Sequence, residues 1–187
     1  MPIDRDETVL AALALEGLAF GPVAHRDDYV TALYPYDSRG SALSQARGQS
    51  SCGLTCEAIL RAVGVDEPDQ PYERSWHAPI QRLPAVVWQR ERAKRCGAWV
   101  DATHWTADRQ LPIVGDMVEI DGPSHVLTII DGERFECVSI DGGQTDAQNE
   151  SRPTAISRRA RTFVEIGGKL LLGSRTVVGW IDLGLMR

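Results

Sequence analysis

The sequence predicts an α+β domain, and three observations carry that expectation. Apolar residues fall at helical spacing in the first half of the chain, and Val- and Ile-rich runs punctuated by Gly and Asp fill the second. Helices first and an antiparallel sheet afterwards is the α+β order. The third observation is size: 187 residues, 43% of them hydrophobic, suit one domain with a substantial core. Within that single domain the chain divides into a helical N-terminal extension over 1–48, a core over 49–144 and C-terminal strands over 145–187.

The first helix runs from Glu7 to Ala19, with Val9, Leu10 and Leu13 on one stripe, and Gly21-Pro22 ends it. A short helix is expected near Asp27 to Leu33, followed by a loop from Tyr34 to Gly48 that holds Pro35 and Gly40. Cys52 to Val63 is the clearest helix. Leu54, Ala58, Ile59, Ala62 and Val63 make its apolar face, and Gly64 stops it. A Pro-containing connection from Asp66 to Pro79 leads to a helix over Pro84 to Arg95.

The period then changes to that of strands at Asp116 to Ile120, His125 to Ile130 and Phe135 to Ile140. Asp131-Gly132 is a hairpin signal between the last two. Further strands are expected at Thr162 to Ile166, Lys169 to Leu172 and Val177 to Leu183, with Gln144 to Glu150 as a surface loop.

Acidic residues outnumber basic ones, 26 to 20, for a formal charge of −6, which argues against general binding to nucleic acid or an anionic membrane. No apolar run approaches the roughly 20 residues of a membrane span. The start, with Asp4, Asp6 and Glu7 around Arg5, lacks the cationic character of a secretory leader. The four cysteines, Cys52, Cys56, Cys96 and Cys137, do not look like a disulfide framework in a chain this large. Cys52 and Cys56 have no second close Cys/His pair to complete a zinc site, so no metal is expected.

The chemistry points to Cys52. A helix N-terminus stabilises a thiolate through its unpaired N–H groups and its dipole, and Gln49-Ser50-Ser51 gives a polar lead into this helix. Gly53 leaves room for a substrate carbonyl, and the Cys52 backbone N–H is half an oxyanion hole. Cys56, one turn inside, reads as a small buried hydrophobe. The base is expected to be His125, heading a strand after Gly122-Pro123-Ser124. His104 sits in a Trp-flanked loop, and His25 and His77 in polar connections.

Asp141 is the group that would orient the His125 ring, and strand register tests it. A strict turn at Asp131-Gly132 would turn Asp141 away from His125. A bulged loop over Asp131 to Glu133 pairs Ile130 with Arg134 and His125 with Ser139. It brings Asp141 within diagonal reach, beside a core face of Leu127, Ile129, Phe135 and Cys137.

Cys-Gly-Leu opening a helix, Val-Gly-Asp-Met-Val leading into a strand, then Ser-His-Val and Ser-Ile-Asp-Gly-Gly-Gln resemble the CHAP and NlpC-type amidases of the papain-like cysteine hydrolases. The resemblance covers roughly Gln49 to Gln144. It implies a papain-like fold, with Cys52 as nucleophile, His125 as base and Asp141 as the residue orienting it. Asp116 is similar to a turn position and has no catalytic role in this reading. Ser-Ser precedes the nucleophile where the family has Asp. Gln45, Gln49 and Tyr36 are the candidates for the missing oxyanion or substrate contact.

By that resemblance the substrate is an amide bond in peptidoglycan peptides, cleaved without metal or organic cofactor. The enzyme would be a lysin, or an antibacterial effector made in the cytoplasm without a cleavable signal peptide. A specialised secretion machine would export an effector into a target periplasm, and an immunity protein would be its partner. Two other readings stand beside this one. One is a cytoplasmic cysteine protease or deamidase-type toxin acting on a protein, and the other a non-catalytic papain-like binding module. The five tryptophans read mainly as core, and Arg158-Arg159-Ala160-Arg161 as a solvated strand edge.

Overall fold

The computed structural model describes residues 3–18, 51–65, 85–103, 105–106, 109–121, 125–146 and 149–186. Among the described residues, three short helices, α1 (Arg5–Ala14), α2 (Ser51–Ala62) and α3 (Ala85–Arg95), come first. Seven strands follow: β1 (Trp99–Asp101), β2 (Met117–Ile120), β3 (His125–Glu133), β4 (Glu136–Asp146), β5 (Asn149–Ile166), β6 (Lys169–Leu172) and β7 (Arg175–Ile181). The helix expected over 27–33, the loop over 34–48 and the connection over 66–79 lie outside the described residues.

The strand order is β1-β7-β2-β3-β4-β5-β6, and β6 also pairs with β7. Strands β2 to β7 therefore close into a six-stranded antiparallel barrel, with β1 on the part of the β7 edge that β6 leaves open. This mostly β architecture, with few short helices, overturns the expected α+β papain-like fold.

The reason lies in β4 and β5, which run for 11 and 18 residues through the stretch expected to be a surface loop. Gly142, Gly143 and Pro153 are strand breakers on paper. Here Pro153 pairs with Thr145, and register shifts from Asp141 to Asp146 absorb the misfit. The expected C-terminal strands then join β2, β3 and β4 in one closed ring.

Two apolar clusters follow from the alternation of the strands. One packs helices on the outside of the barrel, joining Ile59 and Leu60 of α2, Val86 and Ala93 of α3, and Met117, Val126, Ile130 and Ile140 of the strands. Each Ile or Leu buried there contributes roughly 1.5–3 kcal/mol. The other draws on all six barrel strands, through Val118, Leu127, Cys137, Phe163, Leu172 and Val177 among others, and fills the interior. Trp105 and Trp180 are buried in it. Among the described residues no helix is long and apolar enough to cross a membrane.

Helix α1 is tied down electrostatically. Asp4 caps it, accepting from the Asp6 N–H at 2.9 Å. The Arg5 guanidinium reaches Asp116 and Asp182, each at 2.5 Å, and donates to the Val114 carbonyl. Burial raises the Asp116 carboxyl to about 6, outweighing its bonds from the Ile113 N–H and from Arg5.

The β3–β4 hairpin turns later than expected. Glu133 pairs with Glu136 across a two-residue turn at Arg134-Phe135, and the irregularity falls between Ile129 and Asp131. Arg134 takes the left-handed conformation, φ 51°, that this turn requires. Phe135 is therefore 37% exposed instead of lying on the core face. Asp131-Gly132 lies in the ladder, with Gly132 against Cys137 at φ 134°, where a side chain would meet the Glu136 and Cys137 backbone.

The β1–β7 contact is equally close. A Cβ on Gly179 would fall against the Trp99 ring and 2.5 Å from the Val100 carbonyl. Gly179→Ala is expected to cost about 1–3 kcal/mol by overpacking. That corresponds to a melting temperature lower by roughly 3–10 °C for a chain of this size. Thermal unfolding of the variant at the wild-type temperature would show that this contact can yield.

Candidate active site

Cys52 is the second residue of α2, within the turn whose backbone N–H groups have no helical partners. Its side chain is buried at 4% exposure, in the cluster that packs the helices on the barrel. His125 opens β3, paired with Ile120 of β2, and its side chain is 14% exposed. The His125 Nε2 lies 2.9 Å from the Asp141 Oδ2. The ring also hydrogen-bonds the Cys52 side chain. With Nε2 engaged by Asp141, Nδ1 is the nitrogen available to the thiol.

The register explains why Asp141 can reach. Thr128 pairs with Ile140 and Ile129 with Ser139, four residues further along β4 than the hairpin expected from the sequence. On the His125 side of the irregularity the shift is by an even number, which keeps Asp141 on its expected face, so it still meets His125 diagonally.

Asp141 is fully buried and held by three groups. Besides His125, it accepts from the Ser139 hydroxyl and from the Arg161 guanidinium, which also donates to Ser139 Oγ at 2.9 Å. Burial alone would raise the Asp141 carboxyl. The His125 hydrogen bond and the Arg161 charge overcome it and hold the group below the ordinary carboxylate value. Burial alone would likewise depress His125. Its bonds to Asp141 and Cys52 and the charges of both raise it to about 9.

The neighbouring thiols differ. Burial pushes Cys56 far up; it is 1% exposed, with its sulfur 3.6 Å from Thr128 Oγ1. Burial pushes Cys137 up to about 11. Cys96 is exposed. Among the described residues no three His, Cys, Asp or Glu side chains stand together as a metal site.

Gly53 is buried beside Cys52, and its carbonyl accepts from Gln89 Nε2 of α3 at 2.8 Å. Gln45, Gln49 and Tyr36, the oxyanion and substrate candidates, lie outside the described residues, as do His25, His77 and His104.

Two residues of this arrangement were not found from the sequence. Arg161 belongs to a run read as a solvated edge, yet it shares its strand face with the buried Phe163, and its side chain is only 17% exposed. Two-residue alternation carried back from Phe163 would have found it. Gln89 stands between Val86 and Ala93 at helical spacing, a buried polar side chain on an apolar stripe, which was its signal.

The linkage of His125 to stability has a defined sign. Its pKa is raised above the ordinary histidine value of 6.5, so its contribution is complete below that pH and is lost as pH rises through about 9. Asp141, lowered from 3.8, contributes above that value and loses its contribution as pH falls through the folded-state pKa. Denaturant unfolding of the wild type is expected to lose stability between pH 6.5 and 9 relative to His125→Ala. Parallel pH profiles for the two proteins would contradict this assignment.

Comparison of the chain with protein-family models, with curated proteins and with solved structures gives no match.

Proposed function

We propose that this protein is a cysteine hydrolase that cleaves amide bonds in peptidoglycan peptides. The observation that carries the reading is the His125 ring, bonded to Asp141 on one side and to the thiol of Cys52 at a helix N-terminus on the other. A thiol, a base and a buried carboxylate that orients the base are the parts that nucleophilic acyl transfer needs. The motifs that resemble CHAP and NlpC-type amidases support the choice of substrate.

In this reading His125 takes the Cys52 proton and the thiolate sulfur bonds to the carbonyl carbon. The resulting oxyanion is held by the Cys52 backbone N–H and a second donor. The imidazolium returns its proton to the amine as the C–N bond breaks. Water, deprotonated by His125, then hydrolyses the thioester and frees the thiol. Asp141 stabilises the imidazolium, and Arg161 and Ser139 keep Asp141 ionised and aimed.

Digestion of purified peptidoglycan, with fragments identified by mass spectrometry, tests the reading. New paired amine and carboxyl termini are expected. Intact peptidoglycan with a folded protein whose Cys52 still reacts with a thiol probe would move the substrate to a protein. Intact peptidoglycan with an inert Cys52 would overturn the hydrolase reading in favour of a binding module.

The same reading makes the protein a lysin or an exported antibacterial effector with an immunity partner. Directing it to the periplasm of a bacterial host is then expected to lyse cells that cytoplasmic expression leaves intact. Toxicity confined to the cytoplasm would contradict that placement.

A further inference from the structure

Two consecutive residues of α3 reach the two halves of the candidate active site. Gln89 Nε2 donates at 2.8 Å to the carbonyl of Gly53, which follows Cys52 in α2. Arg90 donates to Glu119 Oε1 at 3.0 Å, and Glu119 is buried in β2, one residue before the Ile120 that pairs with His125. Helix α3 is thus bonded to the helix that carries the thiol and to the strand beside the base.

A buried carboxylate such as Glu119 requires a partner like Arg90. The Gln89 bond has no such explanation. Gln89 is 1% exposed, and its Oε1 has no partner among the described residues. A carbonyl can only accept, so the amide must present its nitrogen to Gly53 and leave that oxygen unmet. A Met or Leu in its place would continue the apolar stripe of Val86 and Ala93 and bury no unmet amide. Gly53 lies inside α2, where the helical pattern already supplies its carbonyl with the N–H four residues on. Packing alone asks for neither the amide nor its bond.

The position of Gly53 supplies a reason. Glycine has the greatest backbone freedom of any residue, and this one is third in α2, within a turn whose N–H groups lack helical partners. The same turn carries the Cys52 sulfur and the N–H assigned to the oxyanion. Fraying there would move the sulfur off the His125 ring and weaken the hold of the helix dipole on a thiolate. A buried donor from the neighbouring helix pins the turn one residue beyond Cys52.

We propose that Gln89 is a positioning residue of the Cys52 site, its amide holding the first turn of α2 so that the thiol stays on His125. The expected effect on rate rests on the hydrolase reading, whereas alkylation of Cys52 reports the same role with no substrate present.

Gln89→Met, which keeps an unbranched side chain of similar size and removes the donor, tests it in the full chain. Thermal unfolding is expected at the wild-type temperature or above, because no unmet amide is left buried. The pH midpoint of Cys52 alkylation by iodoacetamide is expected to rise by about 0.2–0.7 of a unit, the shift that a helix start supplies. The kcat on soluble peptidoglycan fragments is expected to fall roughly 10–100-fold with KM unchanged, since misplaced reacting groups lose rate without losing binding. With an active wild type, an unchanged midpoint and kcat in Gln89→Met would overturn the positioning role and leave the hydrolase reading standing. A lower melting temperature would overturn it too, by making Gln89 a packing residue. A Cys52 inert in the wild type would overturn the hydrolase reading and this role with it.

Discussion

Cys52→Ala is expected to abolish amide hydrolysis, lowering the rate by roughly 10⁴-fold or more, because loss of a nucleophile removes the covalent route and leaves only binding and oxyanion stabilisation. Cys56→Ala, one helical turn away, is expected to hydrolyse at a rate near that of the wild type. The contrast is informative because both thiols lie in the same cluster against the barrel. They differ in surroundings. Cys52 has the helix N-terminus and the His125 ring, whereas burial pushes the Cys56 thiol up beside the Thr128 hydroxyl. Fragment release from peptidoglycan, followed by mass spectrometry, measures both rates. Equal loss in the two variants would point to damaged packing, and no loss in Cys52→Ala would remove it from the chemistry.

The second large effect is expected at Asp141. Asp141→Ala leaves the Arg161 guanidinium facing a cavity and leaves the His125 ring without its anchor. Breaking a buried pair from one side costs about 3–5 kcal/mol. Loss of the group that orients a catalytic His costs on the order of 10⁴ in rate. The double variant Asp141→Ala/Arg161→Met is expected to recover part of the stability and none of the activity, because it removes the stranded charge and not the need to orient His125. Thermal unfolding and hydrolysis, measured on the same preparations, separate the two effects. Additive destabilisation would show that Arg161 and Asp141 are not coupled.

Much of this arrangement was legible in the sequence because it depends on local patterns. The helix over 51–62 announces itself through its apolar face and Gly64, and it places Cys52 in the first turn. The strands at Met117–Ile120 and His125–Glu133 are marked by Val and Ile. The pairing of His125 with Asp141 survived a wrong turn position because only the parity of the register matters to which face a side chain takes.

What stayed hidden depends on long-range pairing. Barrel closure requires β6, four residues long, to join β5 on one side and β7 on the other, and no local pattern encodes that. Pro153 and the Gly142-Gly143 pair masked the continuity of β4 and β5, since local propensity cannot anticipate the register shifts that accommodate them. Arg161 was hidden for a related reason. A charged side chain ordinarily marks a solvated face, and this one points inward because Asp141 and Ser139 satisfy it there.

The central claim is that Cys52 is a nucleophile whose thiolate is stabilised by His125 and the start of α2. The most direct test is the pH dependence of iodoacetamide alkylation at each cysteine, resolved by peptide mass spectrometry, with the exposed Cys96 as the internal reference. The account predicts a Cys52 midpoint well below the ordinary thiol value of about 8.5, shifted upward in His125→Ala. A Cys52 midpoint at or above that ordinary value, or alkylation of Cys52 only after the protein unfolds, would contradict it.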